Sequence, residues 1–259
     1  MNETVRGPAV AGSFYPASPT ELAATVDRLL AAVNVTPDAP CPKALIVPHA
    51  GYVYSGAIAA SAFARVMPHT DRIERVVLVG PAHRVYVEGL VSPGATRLRT
   101  PLGELVVDPA TATFTANPTA HAREHSLEVE LPFLQRVAPR ATIVPLAGTR
   151  ARAEIVGAAL EKLWGGPETL IVISSDLSHY LPYAEGRRVD EQTCARITAL
   201  DPTIGGEQAC GSIGINGLLW VAKRKQLRIE LVDLRSSGDT AGSRDEVVGY
   251  AAFALYEAA

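Results

Sequence analysis

Short apolar runs rich in Val and Ile recur along the chain, each next to a stretch with helical periodicity. ALIVP (44–48) precedes a small-residue helix pattern, SGAIAASAFARV (55–66), and RVVLVG (75–80) follows it. ATIVPLAG (141–148) leads into ARAEIVGAALEKLW (151–164), after which comes TLIVIS (169–174). Runs this short, with no polar alternation, suit strands buried on both faces. Their alternation with helices predicts right-handed crossovers and a mainly parallel sheet flanked by helices. The end of the chain reads differently. RIELVDLRSS (228–237) and VVGYAAFALYE (247–257) enclose a polar, glycine-containing loop and predict two adjacent strands, an antiparallel pair being one arrangement that loop permits. No repeat, low-complexity tract or linker divides the sequence, so residues 1–259 read as a single α/β domain.

Composition narrows the function. The formal charge of −3 and the absence of a basic run interleaved with aromatics leave nucleic acid and anionic membranes without an electrostatic handle. Three widely spaced cysteines, Cys41, Cys194 and Cys210, are not a disulfide framework. With no leader-like start and no long apolar stretch, the expected compartment is the cytoplasm, where a free thiol can bind metal.

Candidate chemistry follows the strands. His49 comes directly after ALIVP, His83 three residues after RVVLVG, and Asp176 directly after TLIVISS, with His179 three residues on. In open α/β sheets, ligands bind outside the carboxyl ends of the strands, so three strands deliver a His or an Asp to one end of one sheet. Neutral imidazoles converging there are ligands for Fe, Zn, Cu or Ni, and two His with an anionic third ligand leave positions open. Asp176 is the third ligand that the residues alone favour. Cys210, in QACGSIGING (208–217) ahead of the helix pattern LLWVAK, is the competitor, because a helix start favours thiolate; a small buried core cysteine is the plainer reading.

In EHSLEVELPFLQ (124–135), Glu124, Leu127, Leu131 and Leu134 fall at helical spacing. That places His125 at a helix N-terminus capped by Ser126, with a neutral imidazole suited to donating a hydrogen bond or acting as a base. His69 and His121 have loop-like neighbours and are expected at the surface. RGPAVAGSFYP (6–16) is too apolar for a frayed end and is expected to pack onto the domain, with Arg6 and Tyr15 able to line the site. Walker, GxGxxG, GxSxG and CxxC motifs are absent, which removes the usual support for nucleotide, hydride-transfer, serine-hydrolase and thioredoxin readings.

At RGPAVAGSFYP, PHAGYVYSG, GPAHR, EHSLEVELPFLQ, SSDLSHY, ACGSIGING and DLRSSGD, over nearly the full length, the sequence resembles the Memo family, known in prokaryotes as AmmeMemoRadiSam system protein B. The resemblance implies the fold of the class III extradiol ring-cleaving dioxygenase catalytic subunit. In those enzymes two histidines and a glutamate hold non-haem Fe(II), and in Memo proteins a cysteine replaces the glutamate. It implies His49, His83 and Cys210 as metal ligands, placing Cys210 ahead of Asp176, with Asp176, His179 and His125 as acid–base or orienting groups. The expected cofactor is Fe(II), with Cu or Zn as alternatives, and the expected activity is that of a metal-dependent oxidoreductase on a small-molecule or peptide substrate. A zinc-type metallohydrolase and a non-catalytic peptide- or aromatic-binding module use the same pocket as alternatives. The system name implies pathway association with AMMECR1-type and radical-SAM proteins.

Overall fold

The computed structural model describes residues 3–257. Its first elements are β1 (Val5–Arg6), α1 (Pro19–Ala31), β2 (Ala44–Val47), α2 (Tyr52–Phe63) and β3 (Arg75–Pro81). An inserted stretch follows, with β4 (Arg97–Thr100), β5 (Gly103–Val106), α3 (Pro118–Ala122) and α4 (Leu131–Val137). Then come β6 (Thr142–Gly148), α5 (Ala153–Leu163), β7 (Thr169–Ser174), β8 (His179–Leu181) and α6 (Tyr183–Thr198). The chain ends on α7 (Ser212–Lys225), β9 (Arg228–Ser236) and β10 (Val247–Tyr256).

Seven strands form the central mixed sheet, in the order β6-β3-β7-β2-β10-β8, with β9 pairing with β10 as well. The first four are mutually parallel, as the run-and-helix alternation predicts. β10 runs against all its neighbours, so the two C-terminal runs do form an antiparallel pair. Side-chain alternation along the parallel strands builds two cores, one per face. Leu45, Val47, Val76, Leu78, Ile143, Leu170 and Val172 point to the side covered by α1, α2 and α4. Ala44, Ile46, Val77, Val79, Val144, Leu146, Ile171 and Ile173 point to the side covered by α5 and α7. Both sets are buried, which explains why the sequence showed continuous apolar runs without a polar face.

Three local differences from the sequence reading have physical causes. The helix expected over 55–66 begins at Tyr52 and gives way to a 3-10 turn at Ala64–His69, which contains Pro68. The helix expected from Glu124 begins only at Leu131, after a 3-10 turn at Glu128–Glu130, because Glu124, Glu128 and Glu130 are buried and hold other partners. The small sheet β1-β4-β5 came with no apolar signal, being short and largely exposed.

Candidate metal centre

The site sits where three neighbouring parallel strands end. β3, β7 and β2 lie side by side, and their C-terminal ends carry His83, Asp176 and His49 into one space. The backbone fixes the arrangement: Ser175 N donates to Val47 O at 2.8 Å, and Leu177 N donates to Gly249 O at 2.8 Å. α7 brings Cys210 in from the other core, with Cys210 N donating to Asp176 O at 3.2 Å. This approach needs glycine next door. A Cβ on Gly211 would lie 2.4 Å from Ser174 O and 2.6 Å from Ser175 Cβ, so a side chain there would push the cysteine away.

His49, His83 and His125 each offer a ring nitrogen, and these nitrogens all lie within 4.8 Å of one another. The rings of His83 and His125 stack at 4.9 Å, and His49 meets both edge-on at 5.2 and 5.4 Å. Metal ligands at bonds of ~2.0–2.1 Å sit roughly 3.3 Å apart in a tetrahedral site. Rotamer movements of about 1 Å therefore close these imidazoles on an ion, and the donor set fits a transition metal. The three histidines can hold a metal. Cys210 Sγ lies 3.3 Å from His49 Nε2, already at the spacing of two ligands on one ion.

His83 and His49 are each oriented from behind. Glu124 accepts from His83 Nδ1 at 2.9 Å and also from the backbone N–H groups of His83, His125 and Ser126 at 2.6, 2.9 and 3.0 Å. Burial pushes the Glu124 carboxyl up, but these donors outweigh it and hold it at about 2, so Glu124 is ionised. That leaves His83 Nε2 free, the arrangement of a carboxylate–histidine–metal triad. His49 Nδ1 instead faces the Ser174 hydroxyl at 2.7 Å, which is also 2.9 Å from Glu130 Oε1. Glu124, Ser174 and Glu130 were not recognised from sequence as parts of the site. The signal for the glutamates was present, since LEVEL places acids between apolar residues that helical packing cannot all expose.

Electrostatics favour neutral imidazoles at His49 and His125. Burial, then the neighbouring imidazoles of His83, His125 and His179, push His49 well below the ordinary histidine range. Burial also lowers His125 to about 4. Burial, not a helix dipole, keeps His125 neutral, since no α-helix starts there; Ser126 spends its hydroxyl on Pro81 O at 2.8 Å instead of capping. Asp176 is 5 % exposed, and burial lifts it to about 7, although the backbone N–H groups of His49 and Ala50 oppose this. It accepts from His49 N at 2.8 Å, and its other oxygen lies 4.0 Å from His49 Nε2. Burial raises the Cys210 thiol strongly. The thiolate bias expected from a helix start is thus outweighed by desolvation, and α7 begins two residues beyond the cysteine. His179 opens β8, half-buried, its ring packed edge-on to Tyr180 at 5.7 Å; burial lowers its pKa. It is not one of the three clustered imidazoles.

Contacts elsewhere depart from what the sequence predicts. His121 is buried, 4 % exposed, and bonded through Nε2 to Val91 O at 3.0 Å, so it is a core residue and not a surface one. His69 is half-buried and bonded to Ala39 O at 2.9 Å. Segment 6–16 packs onto the domain as expected, but through Glu128: its carboxylate binds Arg6, the Tyr15 hydroxyl and the N–H groups of Ala9 and Val10. Phe14, between those anchors, is the residue that reaches the centre, 4.7 Å from the His125 ring.

Residues 6–254 match the family model described as Memo-like protein. A MEMO1 family protein of Archaeoglobus fulgidus is 39 % identical over 95 % of this chain and 98 % of its own length. One from Aquifex aeolicus is 36 % identical over 95 % and 97 %, and one from Methanopyrus kandleri 35 % over the same shares. The chain belongs to the Memo family.

Proposed function

We propose that the chain is a metal-dependent oxidoreductase in which His49, His83 and Cys210 hold non-haem iron, with His125 beside them. One observation supports the choice of ligands: Cys210 Sγ lies 3.3 Å from Nε2 of His49, although the ligand atoms that lie within 4.8 Å of one another are those of His49, His83 and His125 and do not include the sulfur. Two imidazoles and one anionic ligand leave positions open for substrate and dioxygen, and iron held there supplies one-electron chemistry. Around it the chain's own groups divide the remaining work. Asp176, lifted to about 7, takes up or releases a proton near neutral pH. His125 and His179, neutral at pH 7, accept protons at the rim. Phe14 covers the outer face of His125 and limits water entry on that side.

The three-histidine geometry also favours a second reading, a zinc-type hydrolase with His49, His83 and His125 as ligands. Metal analysis of protein purified without oxygen separates the two. Iron with oxygen-sensitive colour supports the oxidoreductase; colourless zinc, indifferent to oxygen, supports the hydrolase. Cytoplasmic location and pathway association with AMMECR1-type and radical-SAM proteins belong to the same proposal; among the described residues no helix is long and apolar enough to cross a membrane.

A further inference from the structure

The hydroxyl of Ser174, at the end of β7, has three polar neighbours. His49 Nδ1 lies at 2.7 Å, Ser126 O at 2.7 Å and Glu130 Oε1 at 2.9 Å. A hydroxyl offers one hydrogen and two lone pairs, while a carbonyl oxygen only accepts. The Ser174 hydrogen therefore goes to Ser126 O. The other two contacts are then donated to Ser174, one by the Glu130 carboxyl and one by His49 Nδ1. In the reverse assignment Ser174 donates to the ring, and two oxygens face each other at 2.7 Å with no hydrogen between them, at the cost of an unmade buried bond.

Two independent features agree with this count. Glu130 is fully buried, no cation pairs with it among the described residues, and its Oε2 has no partner at all. Burial pushes that carboxyl well above the usual carboxylate range, so it has a proton to give. On the far side of the ring, His49 Nε2 is 4.0 Å from Asp176 Oδ2, too far for the bond an Nε2–H would seek there. It is 3.3 Å from Cys210 Sγ, which also lies 3.7 Å from Asp176 O.

We infer that Ser174, backed by the carboxyl of Glu130, locks His49 in the tautomer with its proton on Nδ1 and aims the Nε2 lone pair into the site. Ser174 and Glu130 are positioning residues, and they reach with neutral groups the result that ionised Glu124 reaches for His83. The metal-binding consequence rests on the proposed function; the tautomer does not.

Long-range ¹H–¹⁵N correlation of metal-free, ¹⁵N-histidine-labelled protein tests the lock, with His49 assigned by its loss in His49→Gln. The expected spectrum has His49 protonated at Nδ1 and bare at Nε2, and this parent spectrum decides the matter whether or not any variant folds. Ser174→Ala should give a mixture of tautomers. Glu130→Gln should keep Nδ1–H, because an amide N–H replaces the acid O–H as donor to Ser174. Proton on Nε2 in the parent, or an unchanged tautomer in folded Ser174→Ala, overturns the inference. In a second arm, Ser174→Ala should weaken Co(II) binding by about 10–100-fold. A parent that binds no Co(II) yet shows the Nδ1–H tautomer refutes the metal reading and supports the lock.

Discussion

The sulfur of Cys210 lies 3.3 Å from Nε2 of His49, although 161 residues separate the two in sequence. The contact brings a residue two positions ahead of α7 against a residue just past the end of β2. It also sets two candidate ligands at the spacing that one ion spans. Cys210→Ser should weaken metal binding severely and abolish sulfur-to-metal charge-transfer absorption on reconstitution with Co(II) or Cu(II). Asp176→Asn should lower turnover more than affinity, since a group acting through a ligand changes it by about 10–100-fold. Parent-like spectra in Cys210→Ser, with metal lost in Asp176→Asn, would sink the cysteine assignment.

Replacing His49 or His83 by Ala should remove tight metal binding and leave the sheet standing, because both follow their strands and lie outside the two apolar cores. Circular dichroism with thermal melts, run with and without added metal, checks this. Metal should raise the parent's melting temperature and neither variant's. Unfolding of both variants in the absence of metal would make these histidines structural.

Glu128 ties segment 6–16 to the rim of the site through Arg6, Tyr15 and two backbone N–H groups. Glu128→Ala leaves the largely buried Arg6 guanidinium without its carboxylate partner, and breaking such a pair costs about 3–5 kcal/mol. Urea melts should show that loss, and protease cleavage within the segment should rise as Phe14 leaves His125. An unchanged midpoint would mean the segment is held by its apolar packing alone.

Asp190, on α6, shows how pH acts away from the metal centre. Burial lifts it to about 6, against the Ser178 N–H that it accepts at 3.0 Å, and its second oxygen has no partner. The folded state therefore holds this proton more tightly than the unfolded chain. The stabilisation is complete below the ordinary carboxylate range and is lost as pH rises through about 6. The difference in unfolding free energy between parent and Asp190→Asn should fall by roughly 1–3 kcal/mol from pH 4 to pH 7. A flat difference across that range in denaturant titrations would refute the raised acidity.

Much of the fold was legible because buried parallel strands write a plain signal. ALIV, RVVLVG and TLIVIS had to be covered on both faces, and short helices between them leave few topologies open. The same signal located His49, His83 and Asp176, since each follows such a run. The helix start at 124 was misread for an equally physical reason. Periodicity counts apolar residues and does not register that Glu124, Glu128 and Glu130 are themselves buried, each held by partners distant in sequence.

The sequence by itself determined the buried strands β2, β3, β6 and β7 and the C-terminal pair, the end of the sheet that carries the chemistry, and the family. Tertiary structure decided which residues meet: that His125 stacks on His83, that Cys210 touches His49, and that Ser174 stands behind it. The reason lies in range. Hydrophobic period is a property of neighbours along the chain, whereas a metal site is a set of distances between the ends of separate elements. Those distances depend on strand order β3-β7-β2, on the Gly211 approach and on which buried carboxyl keeps its proton, and none of these has a local signature.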